Sequence, residues 1–403
     1  MLINKEGKML NEYALHCGKV RSEIRELFEI GRVKKQQFGE ENVYDFSLGN
    51  PSVPPPKEVK DAFLDALETQ SALSVHGYTT AAGSNDCRQA VAEDLQERYG
   101  EDLNFNNFYM TCGATAALVS CIRAFVTDEN SEVIVIAPYF PEYRIFVEGC
   151  GAKLAVVSPD YKDFQVNFPE FEKRINANTR AIIINTPNNP SGAMYSEKTL
   201  EHMAAILSKK SREFGHPIFL ISDEPYRELV YGDRRAPFIP QFYDNTVICY
   251  SYSKSLSMPG DRIGYVCVPS RVEDWEDVMA AVAGAARGAG YVCAPAIMQQ
   301  VIKRCAKVRP DIAIYEANRN LLYNELTKMG YECVKPDGAF YLFVKAPNGN
   351  SQEFSRMAQD ENLLIVSADQ FGCPGYMRIS YCVDKEMIVR SLPAFRTLME
   401  KCK

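Results

Sequence analysis

The sequence predicts an α/β fold, with a large domain built on a mostly parallel sheet flanked by helices and a smaller α+β domain. Short apolar segments alternate with helical stretches from about residue 49 to about residue 300, which is the pattern of a parallel sheet covered on both faces. The chain has 403 residues, more than one hydrophobic core usually holds, so two domains are expected. We assign residues 49–300 to the large domain and residues 1–48 and 301–403 to the small one.

The elements outside the large domain have weaker signals. An amphipathic helical pattern covers Val20–Ile30, and Pro54–Pro56 reads as a stiff connection before a helix. Near the other end, Gly338–Val344 and Tyr376–Ser380 are typical of short strands. We expect the N-terminal segment to join this C-terminal part in the smaller domain.

Four apolar segments of the large domain read as buried strands that end at polar turns. They are Val133–Ile136, Ala181–Ile184, Ile218–Ile221 and Thr246–Tyr250. Ligands of open α/β sheets bind beyond the carboxyl ends of the strands. The residues that follow the four segments are therefore candidates for one shared site, and the chemically useful ones are Phe140, Asn189, Asp223 and Lys254.

Composition excludes several classes of function. The net charge of −7 argues against a nucleic-acid surface, because neutralising phosphates requires a concentrated basic face. No run approaches the roughly 18 apolar residues of a membrane span, and the opening Met1–Lys8 lacks the apolar stretch of a signal peptide. We therefore expect no nucleic-acid or membrane partner and a cytoplasmic location.

Cysteine and histidine usage indicates neither a disulfide framework nor a metal site. The 13 cysteines are scattered, odd in number and without a Cys-x-x-Cys pair, so they read as reduced core residues such as Cys249 and Cys267. The four histidines lie far apart in the sequence. We expect no bound metal.

Lys254 and Asp223 together suggest pyridoxal chemistry. A lysine forms an imine only where its surroundings favour the neutral amine, and partial burial at a strand end provides such surroundings. A pyridoxal ring held as a Schiff base also needs an anion against its ring nitrogen, because the protonated ring is the electron sink. Alone, Lys254 would read as a surface lysine and Asp223 as a turn or cap residue, but their joint placement favours catalysis.

Three further residues have the chemistry to hold the ring. Tyr226 can donate its hydroxyl to the ring's phenolic oxygen, and Asn189, in a loop stiffened by two prolines, can point its amide at a ring oxygen. Phe140 is suited to stack on a flat heteroaromatic ring. For each, an ordinary packing or turn role is the alternative.

A phosphate site is suggested by a helix start and two donors. Gly113, Ala114 and Thr115 follow an apolar segment at the start of a helix, whose first amides and partial positive charge suit a phosphate. Arg262 can clamp the same phosphate and Ser251 can donate to it. A surface ion pair is the alternative for Arg262, and short Gly-x-Thr helix starts are common.

Arg378 is the candidate for binding a substrate carboxylate. It lies on the alternating segment Tyr376–Ser380, and the forked guanidinium matches a carboxylate with two hydrogen bonds. An arginine that faces water from a strand is the alternative reading.

The combined set resembles the class I and II aminotransferases of the fold-type I pyridoxal-phosphate enzymes, over most of the chain from Gly49 to Arg378. The motifs that carry the resemblance are Gly113-Ala-Thr115, Asn189-Pro-Ser-Gly192, Asp223-x-x-Tyr226, Ser251-x-x-Lys254 and Arg262. The resemblance implies pyridoxal 5'-phosphate as cofactor. It also implies a transfer of the amino group between an L-amino acid and a 2-oxo acid by a ping-pong mechanism, with Lys254 as the Schiff-base residue and proton carrier.

The resemblance also implies a role for residues with little signal of their own. Gly49 corresponds to the loop whose backbone approaches the substrate carboxylate, and Asn189 and Arg378 to the other substrate contacts. Tyr78 corresponds to the tyrosine that reaches the phosphate of the neighbouring subunit, which implies a homodimer with shared active sites. Arg287 either reads a second substrate carboxylate from the neighbouring subunit or is merely solvated.

Two other functions stay open at this point. The same cofactor site supports β-elimination, so a carbon–sulfur β-lyase is the main alternative. A non-catalytic ligand-sensing regulator would need a DNA-binding module, and the segment before Gly49 is short and acidic for that role.

Overall fold

A computed structural model describes residues 10–20 and 22–402. The expectation about Met1–Lys8 lies outside these residues. Within them the helices are α1 (Glu12–Lys19), α2 (Glu23–Phe38), α3 (Lys57–Thr69), α4 (Ala72–His76), α5 (Asn85–Tyr99), α6 (Ala114–Phe125), α7 (Glu142–Gly149), α8 (Phe168–Arg174), α9 (Glu197–Phe214), α10 (Tyr252–Ser255), α11 (Trp275–Gly288), α12 (Ala296–Cys305), α13 (Ala313–Met329), α14 (Ser351–Asp360) and α15 (Lys385–Glu400).

The strands are short and fall into three sheets. They are β1 (Tyr44–Asp45), β2 (Phe108–Thr111), β3 (Glu132–Ile136), β4 (Lys153–Val157), β5 (Thr179–Asn185), β6 (Phe219–Asp223), β7 (Thr246–Ser251), β8 (Gly264–Cys267), β9 (Cys333–Val334), β10 (Tyr341–Lys345), β11 (Leu363–Leu364), β12 (Val366–Ser367) and β13 (Tyr376–Ser380).

The largest sheet has seven strands in the order β2-β8-β7-β6-β5-β3-β4. Strand β8 runs antiparallel to both of its neighbours, and the pairs among β7, β6, β5, β3 and β4 are parallel. The prediction of a mostly parallel sheet flanked by helices is therefore confirmed. The four apolar segments recognised in the sequence lie in β3, β5, β6 and β7, apart from the first residue of the third, which directly precedes β6.

The central strands contain runs of consecutive apolar residues because helices cover both faces of the sheet. Ile183 packs with residues of α6 and α11 on one face, whereas Ile182 and Ile184 pack with residues of α8 and α9 on the other. All three side chains are buried, and each buried Ile contributes roughly 1.5–3 kcal/mol to the hydrophobic stabilisation of the sheet. A central strand of such a sheet therefore needs consecutive apolar residues, without polar alternation.

A second, antiparallel sheet is built from residues near the end of the chain, in the order β12-β13-β10-β9. The N-terminal strand β1 pairs in parallel with β11. The amide of Ser380 in β13 also donates to the backbone oxygen of Phe46. The chain before Gly49 therefore packs with the C-terminal part of the protein.

The first helical pattern was predicted with the wrong bounds. Val20 is extended and ends α1, and α2 begins at Glu23 after Ser22 and ends before Gly39, whose φ is 88°. Apolar spacing continues across the break, so periodicity alone cannot locate it. Among the helices of the described residues, none has both the length and the apolar character needed to cross a membrane.

Candidate active site

A pocket lies at the carboxyl ends of the central parallel strands, and most of the predicted site residues line it. Asp223 ends β6, and Lys254 lies in α10 directly after β7. Arg378 reaches the pocket from β13 of the second sheet. The predicted residues in the lining are Gly49, Ala114, Thr115, Phe140, Asn189, Asp223, Tyr226, Ser251, Lys254, Arg262 and Arg378.

The amine of Lys254 is held in the pocket under conditions that favour its neutral form. Its Nζ donates to the backbone oxygen of Gly49 at 2.6 Å. Burial, with smaller contributions from the cations of Arg378 and Arg262, lowers the pKa of Lys254 to about 8. An appreciable fraction of the amine is therefore neutral and nucleophilic near neutral pH.

Asp223 is buried with one oxygen bound and the other free. Its Oδ2 accepts a 2.5 Å hydrogen bond from the hydroxyl of Tyr143, whereas Oδ1 has no hydrogen-bond partner among the described residues. Burial raises the pKa of Asp223 to about 7, and the Tyr143 hydrogen bond opposes that rise. A protonated ring nitrogen at Oδ1 would satisfy the free oxygen and stabilise the ionised carboxylate, so the residue fits a pyridinium ring.

Asn185, at the end of β5, connects two of the site loops, although no role was assigned to it from the sequence. Its Nδ2 donates to the backbone oxygen of Asp223 at 2.8 Å, and its Oδ1 accepts from the amide of Asn189 at 2.7 Å. The side chain therefore fixes the ends of two neighbouring strands relative to each other.

The residues predicted to hold the ring are close to one another. Tyr226 is buried, and its hydroxyl lies 2.9 Å from the hydroxyl of Tyr341. Asn189 accepts from Arg378 through Oδ1 at 3.2 Å, which leaves its amide NH2 group for a ligand. The ring of Phe140 packs edge-on against Tyr143, with 5.7 Å between the ring centroids.

The start of α6 and Arg262 form a cationic corner of the pocket. Gly113 directly precedes α6 with φ of 87°, and a Cβ at this position would lie 2.7 Å from Nη2 of Arg262. Only a glycine permits this approach without displacing the guanidinium. The Oγ atoms of Ser251 and Ser253 lie 2.6 Å apart beside this corner, and Ser253 is a lining residue that sequence reasoning missed.

Arg378 is a buried cation with unused donor capacity. Its Nη2 donates to the backbone oxygen of Ser47, and its Nε has no hydrogen-bond partner among the residues described. Burial lowers the pKa of Arg378 from its ordinary value, and its guanidinium donates to Asn189 and Ser47 rather than to a carboxylate partner. A substrate carboxylate would supply one.

Gly113 lies against Arg262 but is not itself part of the lining, and two further predicted residues are not brought into this pocket by the single chain. The side chain of Tyr78 is 99% exposed, and Tyr78 is not part of the lining. Arg287 lies exposed near the end of α11 and is not part of the lining either. Neither contact with a ligand follows from this chain alone.

The fold and this donor set define a pyridoxal-phosphate enzyme of fold type I. The family model for aminotransferase class I and II matches residues 41–395. The chain therefore belongs to the class I and II aminotransferase family. The predictions of the family, the cofactor and aminotransferase activity are confirmed.

Individual relatives agree with this assignment. A crystal structure of an aminotransferase from Eubacterium rectale is 52% identical, with a TM-score of 0.96 and coverage of 98% of this chain and 99% of that one. The aspartate aminotransferase from Thermotoga maritima is 27% identical, with a TM-score of 0.86 and coverage of 97% and 100%. A probable aspartate/prephenate aminotransferase from Aquifex aeolicus is 29% identical over 89% of this chain and 92% of its own length.

Proposed function

We propose that Lys254, Asp223 and Tyr226 carry the aminotransferase reaction, which moves an amino group between an L-amino acid and a 2-oxo acid in two half-reactions. The observation that carries this proposal is the placement of Lys254. Its amine has a pKa lowered to about 8 by burial and lies in the same pocket as the half-satisfied carboxylate of Asp223.

Each part of the cofactor has protein groups suited to it. Pyridoxal phosphate, when bound, supplies an electrophilic carbon for amines and a protonated ring that accepts the electron pair left at the substrate Cα. Asp223 would pair with the ring nitrogen through its free Oδ1. The hydroxyl of Tyr226 and the amide of Asn189 would donate to the phenolic oxygen, and Phe140 would cover one ring face. Gly113, Ala114, Thr115, Ser251 and Arg262 would hold the phosphate.

Substrate binding and proton transfer fall to four groups. Arg378 would bind the α-carboxylate with the donors that are unused in this pocket, beside Asn189 and the backbone of Gly49. This contact holds the Cα–H bond near Nζ of Lys254, which is the only amine in the pocket lining among the described residues. The neutral amine would take the α-proton and return it to the carbon on the other side of the transferred nitrogen, so a single group acts as base and then as acid.

We further propose that the protein works as a homodimer with shared active sites. Tyr78 and Leu73 are 99% and 85% exposed, and Val292 is 43% exposed. The three side chains belong to neighbouring segments, because Cys293 contacts the backbone oxygen of Thr79 and α12 packs on α4. Exposed apolar side chains grouped in this way are typical of a protein interface. Tyr78 would then reach the phosphate in the partner's pocket.

We also propose a division into residues 49–300 and a smaller domain from residues 1–48 and 301–403, with closure of the smaller domain excluding water during turnover. Ile24 in α2 lines the pocket together with Arg378 in β13, so parts of both chain ends would move with the smaller domain.

The 13 thiols, several of them buried in the core, support a reducing, cytoplasmic compartment.

A donor panel tests the function. Holoenzyme is mixed with single amino acids and with 2-oxoglutarate, pyruvate or oxaloacetate, and the new amino acid is measured. Lys254→Ala should reduce turnover by several orders of magnitude, and Lys303→Ala, which removes an exposed amine paired with Asp86, should leave it unchanged. Release of pyruvate and ammonia from cysteine conjugates without an acceptor would instead favour the β-lyase.

Substrate choice is tested at Arg287. In the proposed dimer Arg287 would act on a dicarboxylate bound in the partner's pocket. Strong aspartate activity that falls in Arg287→Ala, with little change for a neutral donor, would support that role. Unchanged aspartate kinetics would assign Arg287 to the solvated surface.

A further inference from the structure

Tyr341, the first residue of β10, has the position of a functional group although nothing in its sequence context indicated one. Its side chain is buried and lines the pocket. Its hydroxyl lies 2.9 Å from that of Tyr226, and its ring centroid lies 4.9 Å from Cζ of Arg378. A Cβ at Gly49 would overlap its hydroxyl oxygen, so the glycine leaves the space that this hydroxyl occupies.

The number of hydrogens decides the direction of the contact between the two tyrosines. Burial raises the pKa of Tyr341 to about 12 and that of Tyr226 well above its ordinary value, so each phenol keeps its single proton at neutral pH. If Tyr226 gives its proton to the cofactor's phenolic oxygen, it has none left for Tyr341. The 2.9 Å contact is then a hydrogen bond only if Tyr341 donates and Tyr226 accepts.

We propose that Tyr341 is a positioning residue that donates to Tyr226 and thereby strengthens and aims the Tyr226 hydroxyl at the phenolic oxygen of the cofactor. This inference rests on the proposed function, because it needs Tyr226 to contact the cofactor. Hydrogen bonds in a chain polarise one another, so a phenol that accepts a hydrogen bond is a better donor. The arrangement Tyr341–Tyr226–cofactor is such a chain inside a buried site.

The hydroxyl of Tyr341 would also affect the nitrogen that joins Lys254 to the cofactor. With the cofactor bound, that nitrogen and Tyr226 would both interact with the phenolic oxygen, so a stronger hydrogen bond from Tyr226 would leave less negative charge to hold the proton on the nitrogen. Loss of the Tyr341 hydroxyl should therefore raise the pH at which this proton leaves. A role in packing alone predicts no such change.

The test is the pH titration of the visible absorbance of substrate-free holoenzyme. Tyr341→Phe keeps the ring and removes the donor, and we expect the midpoint to rise by about half a pH unit, roughly a threefold change in proton affinity. Tyr226→Phe should raise the midpoint further. The double variant should match Tyr226→Phe, because Tyr341 acts through Tyr226.

Tyr381→Phe is the matched control. Tyr381 is also a buried tyrosine that donates to another tyrosine, Tyr231, at 3.2 Å, but neither residue lines the pocket. Its removal should change thermal stability without moving the midpoint. Tyr341→Met, which also lacks the donor and can adapt to the space, provides a second test if Tyr341→Phe does not fold.

The results separate failure of this inference from failure of the proposed function. A midpoint that moves in Tyr226→Phe and stays fixed in both Tyr341 variants overturns the role of Tyr341 alone. Additive shifts in the double variant would also overturn it. A midpoint that stays fixed in Tyr226→Phe overturns the proposed contact with the cofactor, and the inference falls with it.

Discussion

At the residue scale, the site depends on burial, which shifts the pKa values of two titratable groups toward each other. Burial lowers the pKa of Lys254 to about 8 and raises that of Asp223 to about 7. Near neutral pH the pocket can therefore offer a neutral amine and a carboxylate that a cationic ring would keep ionised. Opposed shifts of this kind are how acid–base sites operate at physiological pH.

The first prediction concerns cofactor uptake by the apoenzyme. Attachment to Lys254 requires the neutral amine, and a lowered pKa means that the neutral form accumulates as pH rises. The rate at which the visible absorbance appears should rise with pH through a midpoint of about 8. A rate that is flat between pH 7 and 9, or a midpoint near the ordinary lysine value, would contradict the burial argument.

The second prediction concerns Tyr143. Its hydrogen bond lowers the pKa of Asp223, so Tyr143→Phe should make that carboxylate easier to protonate. The acid limb of the kcat/KM profile should move to higher pH, with little change on the alkaline side. Tyr139→Phe is the control, because Tyr139 is buried in the same hydrophobic cluster. An unchanged acid limb in Tyr143→Phe would remove Tyr143 from the account.

The sequence indicates the site residues that follow apolar strands. It does not indicate those whose roles depend on contacts between distant parts of the chain. Lys254 and Asp223 are polar residues at the ends of conspicuous apolar runs, so their position was informative. Tyr143 and Tyr341 are two of 22 tyrosines, and their partners are 80 and 115 residues away in sequence. Only the folded chain brings those pairs together.

At the scale of elements, the buried strands were predictable and the N-terminal helix was not. Strands β3, β5, β6 and β7 are apolar on both faces, which gives an unbroken run in the sequence. Helix α2 lies at the protein surface, with few buried residues, so its apolar pattern is weak. Its first residue, Glu23, nevertheless ties it to the second sheet by accepting from the amide of Ser367 at 3.0 Å.

The third prediction concerns the pH dependence of this attachment. Burial raises the pKa of Glu23 from 4.5 to about 7, with Asp369 and Glu26 adding to the rise and Ser367 and Gln352 opposing it. Because the pKa of Glu23 is higher in the folded than in the unfolded state, its contribution to the free energy of unfolding is fully present below pH 4.5. That contribution is lost as pH rises through about 7. Glu23→Gln should therefore have a higher Tm than the parent at pH 8 and an equal Tm at acid pH.

The matched control for that prediction is Glu68→Gln. Glu68 is exposed on α3, so the difference from the parent should not vary with pH. If the Tm of Glu23→Gln is below that of the parent at pH 8, the ionised carboxylate stabilises the helix and the argument is wrong.

At the scale of the whole molecule, the single chain leaves Tyr78 outside the pocket, and the proposed dimer gives it a role. Tyr78 shows no buried contact in this chain, so neither composition nor periodicity could assign it a position in the site. Its assignment came from a resemblance to a family. The dimer is therefore the part of the account that needs its own experiment.

The fourth prediction is complementation between two defective subunits. Lys254→Ala is expected to be inactive and Tyr78→Ala to bind cofactor weakly. A mixed dimer contains one site with both Lys254 and the partner's intact tyrosine. Refolding the two variants together should therefore restore activity toward about one quarter of the parent's at equal amounts, by simple random pairing. Activity no higher than the sum of the separate variants would contradict shared sites.

The most direct test of the central claim is to find the residue that holds the cofactor. Borohydride reduction of holoenzyme makes the linkage permanent, and mass spectrometry of the digested protein locates it. We predict one labelled peptide with the cofactor on Lys254. A label on another lysine, or none in a preparation that has the cofactor's visible absorbance, would contradict the account.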